Sequence, residues 1–125
     1  MNLLLDTHTL IWVLEDNPAL SAQARAAIID GNNTVFVSAV SVWEISIKKT
    51  LGKLEAPDTL LEEIEGHRFT PLDITINHSD RAGKLPPIHM DPFDRMLVAQ
   101  AQLDQLTLVT RDSEIQKYQV QCLMA

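Results

Sequence analysis

Short apolar runs alternate with longer amphipathic segments along the whole chain, and this alternation is the strongest constraint on its fold. The apolar runs cover residues 3–5, 35–37 and 106–110, with a weaker one at 120–124. The segments between them place apolar residues three or four positions apart, which is the period of a helix. Strands that alternate with helices are typical of an α/β domain with a mainly parallel sheet.

The amphipathic segments predict six helices. They cover about residues 8–15, a stretch that begins after an N-cap at Ser21, 39–54, 58–65, 76–85, and a last one that starts at Pro92. In the third, an apolar stripe runs from Val40 through Trp43 to Leu54, with Gly52 as a candidate terminator. Residues 69–74 are predicted to be extended. We expect one domain over residues 1–125, a length that suits a single compact unit.

The bulk composition favours a protein of a reducing compartment and argues mildly against a polyanionic partner. No apolar run approaches the roughly 18 residues of a membrane-spanning helix, and the first residues lack the basic start of a secretion signal. Cys122 is the only cysteine, so we expect a cytoplasmic protein without an internal disulfide. The formal charge of −7 should repel nucleic acids, unless basic residues are grouped or metal ions intervene.

Acidic residues follow the predicted strands at the points where ligands bind in α/β proteins. Asp6 closes the first strand, Glu44 lies early in the helix after the second, and Asp112 follows the strand 106–110 by two residues. Asp94 begins the last helix, with Asp91 three residues before it. Because the carboxyl ends of parallel strands meet at one edge of the sheet, we expect these side chains to converge there.

Converging carboxylates predict a divalent cation. Like charges a few ångströms apart raise one another's pKa, and Mg²⁺ or Mn²⁺ removes that penalty by accepting their oxygens as ligands. Such an ion can orient a water molecule and stabilise the charge that builds on a phosphodiester. Of the 17 acidic residues, five belong to this proposed site, which leaves 12 acids against 10 bases elsewhere. The objection from net charge is therefore weakened.

Each acid also has a purely structural explanation. Asp91 and Asp112 are natural N-caps, and Asp94 complements the dipole of the helix that it begins. Asp6 can start a turn. Glu44 can form a capping box with Ser41 and an i,i+4 pair with Lys48, although it lies at the margin of the apolar stripe. Their joint placement after successive strands is what favours a metal site.

The remaining polar and aromatic residues add weaker indications. His8, His67, His78 and His89 show no metal-ligand spacing and are interpreted as surface or loop residues, with His8 and His89 near enough to the acids to touch substrate. The candidates for contacts to RNA phosphates are Lys48, Lys49, Arg95 and Arg111. Trp12 and Trp43 are interpreted as core or interface anchors, with base stacking as the lesser alternative.

Four blocks of the sequence resemble a PIN domain, and more narrowly the VapC toxins of bacterial VapBC toxin–antitoxin pairs. The blocks are Leu-Leu-Asp-Thr-His at 4–8, Ser-Ala-Val-Ser-Val-Trp-Glu-Ile at 38–45, His-Met-Asp-Pro-Phe-Asp-Arg-Met-Leu at 89–97 and Val-Thr-Arg-Asp at 109–112. They follow the family's order across nearly the whole chain. Met90 occupies a slot that is often basic in this subfamily, and the tail 121–125 is less typical.

The resemblance implies a three-layer α/β/α fold and an endoribonuclease that depends on Mg²⁺ or Mn²⁺. It assigns the acidic quartet to Asp6, Glu44, Asp94 and Asp112, with Asp91 and Thr110 as accessory residues. Asp6 and Asp94 are the expected principal metal ligands. The products would carry a 5′-phosphate and a 3′-hydroxyl. A cognate antitoxin is expected to inhibit the enzyme, and a homodimer is expected from the resemblance alone.

Two other functions are compatible with the same pattern. A receiver-type signalling domain also has an acidic Mg²⁺ pocket beyond a parallel sheet, but it needs paired acids after its first strand and a Lys after its last. Asp6 has no acidic neighbour here, and Arg111-Asp112 stands where that Lys would be. The other alternative is a binding module that keeps the PIN fold and does not cleave RNA.

Overall fold

The alternating pattern forms a parallel five-stranded sheet with helices on both faces. The computed structural model describes residues 1–125. The strands are β1 (Asn2–Leu5), β2 (Thr34–Ser38), β3 (Thr70–Leu72), β4 (Thr107–Thr110) and β5 (Cys122–Met124). Their order in the sheet is β3-β2-β1-β4-β5, and every neighbouring pair is parallel. This is the three-layer α/β/α architecture with a parallel central sheet that the sequence predicted.

Six helices connect the strands. They are α1 (Thr7–Leu14), α2 (Ala22–Ile29), α3 (Ala39–Thr50), α4 (Leu60–Gly66), α5 (Ile76–Lys84) and α6 (Pro92–Asp104), and a single 3-10 turn covers Ile115–Lys117. None of these helices is both long and apolar enough to span a bilayer. The chain runs from β1 outward to β2 and β3, then crosses back to β4 and β5 on the other side. The strand order therefore reverses between β1 and β4, which is where α/β sheets bind ligands.

The three leucines of β1 show how the sheet is buried on both faces. Leu3 and Leu5 pack into a core with α1, α2 and α4, while Leu4 points the other way, into a core with α5 and α6. All three side chains are fully buried. Successive residues of a strand alternate between the faces of a sheet, so a continuous apolar run fits a strand that is covered on both sides.

The helix ends follow the local sequence signals closely, with one difference in α3. Ser21 accepts a hydrogen bond from the backbone N–H of Ala24 and begins α2, and α6 begins at Pro92 as predicted. The α3 helix ends at Thr50, so Leu54 lies beyond it, although Leu54 still packs against the first core. Gly52, with φ of +70°, makes the turn that ends the helical path, since a left-handed conformation suits glycine.

His78 is buried, which corrects its interpretation as a surface or loop residue. Its Nδ1 accepts the backbone N–H of Thr75 and completes a capping box at the start of α5. Its Nε2 lies 3.1 Å from a carboxylate oxygen of Asp104 at the end of α6. The histidine thus joins the two helices that cover one face of the sheet.

Truncating the central strand should destabilise the fold strongly. We expect Leu4→Ala to lower the free energy of unfolding by about 3 kcal/mol, because the fully buried side chain leaves a cavity. Ile29→Ala is the control: its side chain is 77% exposed, and the change should stay within about 0.5 kcal/mol. Urea denaturation measures both values. Equal effects of the two substitutions would contradict the placement of β1 at the centre of the core.

Candidate metal centre

All five predicted acids line one cavity at the carboxyl edge of the sheet. Its volume is about 410 Å³, and it lies where the strand order reverses between β1 and β4. The carboxylates that line it are those of Asp6, Glu44, Asp91, Asp94 and Asp112. The folding pattern thus gathers side chains that are up to 106 positions apart in sequence.

A larger cavity at the opposite edge of the sheet offers no comparable cluster. It measures about 770 Å³ and lies near the start of β2 and β3. Of its two aspartates, Asp16 forms an ion pair with Arg25, and Asp30 accepts a backbone N–H from Asn32. These carboxylates already have partners in their own loops, so the smaller acidic cavity is the candidate site.

Asp6 and Asp91 are helix caps and cavity residues at the same time. Asp6 is nearly buried, and its Oδ1 accepts the backbone N–H of Thr9 at 2.9 Å in the first turn of α1. Asp91 caps α6 by accepting the N–H groups of Phe93 and Asp94. In both residues Oδ1 receives these bonds. The capping bonds fix the carboxylates in place while the second oxygen, Oδ2, remains available.

Glu44 is 3% exposed and receives a donor on each oxygen. The Thr7 hydroxyl donates to Oε1 at 2.6 Å, and Lys48 Nζ donates to Oε2 at 2.5 Å across one turn of α3. The predicted i,i+4 pair is therefore present. The capping box with Ser41 is not, because Ser38 is the N-cap of α3 and Ser41 lies inside the helix near Thr7.

Lys48 supplies a permanent positive charge beside the acids. The hydrogen bond to Glu44 raises the pKa of Lys48 above its ordinary value, and the charges of Glu44, Asp91 and Asp94 act in the same direction. Burial opposes them but is the weaker influence overall. The ammonium group therefore stays charged at the wall of the cavity.

Of the acids in the cavity, Asp94 has the fewest hydrogen-bond donors around its carboxylate. Burial, together with the neighbouring charge of Asp91, raises the pKa of Asp94 to about 7. Glu44 and Asp6 add to the rise, and His89 opposes it. The Oδ2 atom of Asp94 lies 3.0 Å from His89 Nε2. A positive ion near Asp94 would oppose both causes by favouring the ionised carboxylate.

Asp112 shows the opposite shift. Burial alone would raise its pKa, but donated hydrogen bonds from His89 and from the N–H groups of Ile115 and Glu114 outweigh burial and lower it. The backbone bonds go to Oδ1, so Asp112 binds the segment that leads into the 3-10 turn, although the predicted cap position itself is occupied by Glu114, and Oδ2 lies 3.2 Å from His89 Nε2. Thr110 is fully buried, and its hydroxyl accepts the N–H of Asp112. Thr110 therefore acts on the cavity only through the turn that carries Asp112.

Two of the four basic candidates reach the cavity. Lys48 and Arg111 line it, and the Arg111 guanidinium lies over the Trp12 ring at 4.6 Å while it donates to the carbonyl oxygens of Ala19 and Ala125. Lys49 is not part of the lining and instead pairs with the exposed Asp58 at 2.5 Å.

Arg95 is also outside the cavity lining, although it lies next to Asp94 in sequence. Its guanidinium donates to four main-chain carbonyl oxygens, those of Ala82, Leu85, Pro86 and His89. These bonds occupy the fork that a phosphate would need. In this structure Arg95 supports the loop before α6 and does not face the site.

His89 belongs to the site, which the sequence had suggested only as a possible neighbour of substrate. Its Nε2 forms a hydrogen bond with Asp112 and lies 3.0 Å from Asp94, and these two acids follow different strands. Its position five residues before Asp94 was the only available signal, since the spacing matches no ligand motif. His8 lines the cavity too, but its ring is exposed and lies near Trp12.

The donor set fits a hard divalent cation. Carboxylate oxygens dominate the lining, and oxygen ligands are those that Mg²⁺ and Mn²⁺ prefer. Asp6 and Asp91 each keep one oxygen without a donor and Asp94 accepts no hydrogen bond, whereas Glu44 and Asp112 have donors on both oxygens. Burial and the neighbouring negative charges both raise the pKa of Asp94, and a bound cation would favour its ionised form.

The chain belongs to the PIN domain family, whose pattern matches residues 3–121. This membership removes the support for a receiver-type domain. A comparison with curated proteins gives no significant match.

Solved structures with the same fold include chains from three bacterial complexes. A chain of VapBC2 from Rickettsia felis, bound to a DNA fragment from their promoter, is 16% identical, with a TM-score of 0.73 and 98% of each chain covered. DNA-bound VapBC from Salmonella typhimurium gives 20% identity, a TM-score of 0.71, and 98% and 97% coverage. A chain of VapBC-1 from nontypeable Haemophilus influenzae is 20% identical, with a TM-score of 0.66; the match covers 98% of this chain and 97% of that one. At these identities the likeness establishes the fold.

Neutralising Asp94 should stabilise the metal-free protein. The folded state binds the Asp94 proton more tightly than the unfolded chain, whose pKa is near 3.8, so stability is lost as the pH rises from about 4 to 7. We expect Asp94→Asn to gain about 2–4 kcal/mol at pH 8 in the presence of a chelator, and less at pH 4.5. Urea unfolding at several pH values measures this difference. Asp58→Asn, at an exposed carboxylate, should show no gain; an Asp94→Asn advantage that is independent of pH would contradict the assignment.

Proposed function

We propose that this chain is a metal-dependent endoribonuclease, the VapC-type toxin of a toxin–antitoxin pair, with residues 1–125 acting as one PIN domain. The observation that carries the proposal is the convergence of five carboxylates on one cavity, with the pKa of Asp94 raised to about 7. A structural explanation accounts for the caps at Asp6, Asp91 and Asp112. It gives no reason for Asp94 to share a half-buried cavity with four other acids.

In this proposal Asp6 and Asp94 hold the ion, and Glu44 and Asp112 reach it directly or through water. Bound Mg²⁺ or Mn²⁺ would stabilise the negative charge that builds on the phosphodiester during hydrolysis. Water adds to phosphorus and the bond from phosphorus to the 3′ oxygen breaks, which leaves a 5′-phosphate and a 3′-hydroxyl. Asp91 fixes the first turn of α6, and so the direction of Asp94.

The basic residues at the cavity are the proposed contacts to the RNA phosphates. Lys48 stays charged because of its bond to Glu44, and it lies near the acids without neutralising Asp94. Arg111 lies on the opposite wall, over Trp12. Two cations beside an acidic cavity can hold the phosphates that flank a scissile bond. Lys49 and Arg95, which lie outside the lining of the cavity, are the weaker of the proposed RNA contacts.

Loss of a principal ligand should abolish cleavage. We expect Asp6→Asn and Asp94→Asn to lower the rate of RNA cleavage at least about 100-fold, since even outer partners of metal ligands cost 10- to 100-fold. The measurement uses structured and unstructured RNAs with Mg²⁺ or Mn²⁺, and chelation should abolish the activity. Asp58→Asn is the matched control and should keep the wild-type rate.

Three results would decide between the alternatives. Metal-dependent cleavage that survives both substitutions would contradict the ligand assignment. A well-folded protein that binds Mn²⁺ and RNA but cleaves none of the substrates would favour the non-cleaving binding module. Cleavage of single-stranded DNA at the same rate would contradict specificity for RNA.

The rim of the cavity supports an antitoxin as partner. Trp43 is 59% exposed and packs edge-on against Phe93 at 5.5 Å between ring centres, and Met90 nearby in sequence is also exposed. Apolar anchors beside carboxylates suit a chain that combines hydrophobic residues with an Arg able to pair with the acids. The similar structures from Rickettsia felis and Haemophilus influenzae are described as VapBC assemblies. We propose that an antitoxin covers the α1 and α3 helices and obstructs the site, and that the toxin forms a homodimer.

An exposed aromatic anchor should dominate antitoxin binding. We expect Trp43→Ala to weaken the complex with the antitoxin at least about 30-fold, as aromatic hot spots do, while Ile76→Ala on α5 leaves it unchanged. The antitoxin would be the product of the reading frame adjacent to this gene, and titration calorimetry measures the affinity. An antitoxin that binds at the opposite edge of the sheet without slowing cleavage would contradict the proposal.

A further inference from the structure

His89 lies at the centre of the acidic site and could serve it in two ways. Its Nε2 is 3.0 Å from Asp94 Oδ2 and 3.2 Å from Asp112 Oδ2. One ligand atom from each of these three residues falls within 4.8 Å of the others, which is close enough to surround an ion. The alternative is that the imidazole N–H donates a hydrogen bond to a neighbouring carboxylate and that the ring never contacts the ion.

The distances alone do not distinguish a ligand from a donor. Two ligands at right angles on an ion, each about 2.1 Å from it, are about 3.0 Å apart. A hydrogen bond from nitrogen to oxygen has the same length of about 3.0 Å. The bonding of the second ring nitrogen, Nδ1, therefore distinguishes the two roles of His89.

The backbone of Asp91 fixes the position of the imidazole proton. The N–H of Asp91 points at His89 Nδ1 at 3.2 Å. A backbone amide can only donate, so Nδ1 must accept and carries no proton, which leaves the proton of the neutral ring on Nε2. A histidine that binds metal through Nε2 needs the reverse arrangement, with a proton on Nδ1 that is donated to an oxygen.

The main chain of His89 is held as firmly as its ring. Its N–H donates to Tyr118 Oη at 2.8 Å, and its carbonyl oxygen accepts from Arg95 at 3.2 Å. The Tyr118 hydroxyl donates to the carbonyl oxygen of Pro86, and Arg95 also bonds the oxygens of Ala82, Leu85 and Pro86. Two side chains, from α6 and from the end of the 3-10 turn, therefore clamp the whole loop 85–91.

We propose that His89 is a positioning residue, whose Nε2–H is a fixed donor to Asp112 and whose ring lies against Asp94, and that Arg95 and Tyr118 hold it there. The donor occupies Oδ2 of Asp112, and the 3.0 Å approach of the same nitrogen to Asp94 Oδ2 sets the separation of the two carboxylates, while Asp94 Oδ1 remains for the ion. This inference rests on the proposed function only in that the acids hold a cation. The proton position itself is a property of the metal-free protein.

Nitrogen NMR of the wild-type protein tests the proton position directly. The chain has four histidines, and the His89→Gln variant identifies the His89 signals by their loss. In metal-free protein, at a pH alkaline enough to make every imidazole neutral, we expect the His89 proton on Nε2, and we expect the same form after Mg²⁺ is added. A proton on Nδ1, or loss of the Nε2 proton when Mg²⁺ binds, would overturn the proposal.

Manganese binding tests the role with a readout that does not need catalysis. His89→Gln keeps a side-chain N–H at a similar reach and should bind Mn²⁺ within about threefold of wild type, whereas His89→Phe should bind about tenfold more weakly. His67→Phe, at a histidine outside the acidic cavity, is the control and should bind normally. Electron paramagnetic resonance of the wild-type complex should show no directly bound nitrogen.

The outcomes separate this inference from the proposed function. A strong nitrogen coupling that disappears in His89→Gln would make His89 a ligand and overturn the positioning role. Unchanged Mn²⁺ affinity in a folded His89→Phe variant would also overturn it. If wild-type protein binds no Mn²⁺ at all, the proposed metal centre is wrong, and so is the claim that His89 positions its ligands. The position of the His89 proton is still tested by NMR in that case.

Discussion

The mutual repulsion of carboxylates at one edge of the sheet is the constraint on which the rest of the site depends. A parallel sheet brings the ends of its strands together, so acids that follow β1 and β4 become neighbours whatever their distance in sequence. The protein neutralises most of this charge with its own donors. Glu44 has Thr7 and Lys48, and Asp112 has backbone N–H groups and His89. Asp94 receives no comparable hydrogen bond, and burial together with the charge of Asp91 raises the pKa of its carboxyl group.

The structural and functional explanations of the acids turn out to describe the same hydrogen bonds. Asp6 and Asp91 cap helices through one oxygen and face the cavity with the same carboxylate. A cap fixes the side chain relative to a helix that is itself packed on the sheet, so the ligand is held in position before any ion arrives. The capping role and the proposed ligand role of these carboxylates are therefore compatible, because the capping bond fixes a carboxylate whose other oxygen has no donor.

The sequence was sufficient for those parts of the structure that short-range patterns determine. Apolar runs predicted the strands, caps such as Ser21 predicted helix starts, and the acids after the strands predicted the cavity. The contacts around His89 were beyond reach, because Tyr118 lies 29 residues away and meets it only through the conformation of the loop 85–91. Arg95 illustrates the same limit: its charge suggested a phosphate contact, but the loop carbonyls that it binds are visible only in the fold.

The distribution of charge explains how an acidic chain can approach a polyanion. Five of its 17 acids lie in one cavity, where a divalent ion would offset part of their charge, and Lys48 and Arg111 stand at the walls of that cavity. Because Lys48 is held by Glu44 within α3, its position does not depend on bound RNA. On the proposed function, a phosphate that enters meets these positive groups, while exposed negative side chains farther than about 8 Å away are largely screened at physiological salt. Attraction at the site and repulsion from the rest of the surface are then compatible, and the net charge of the chain does not determine its partner.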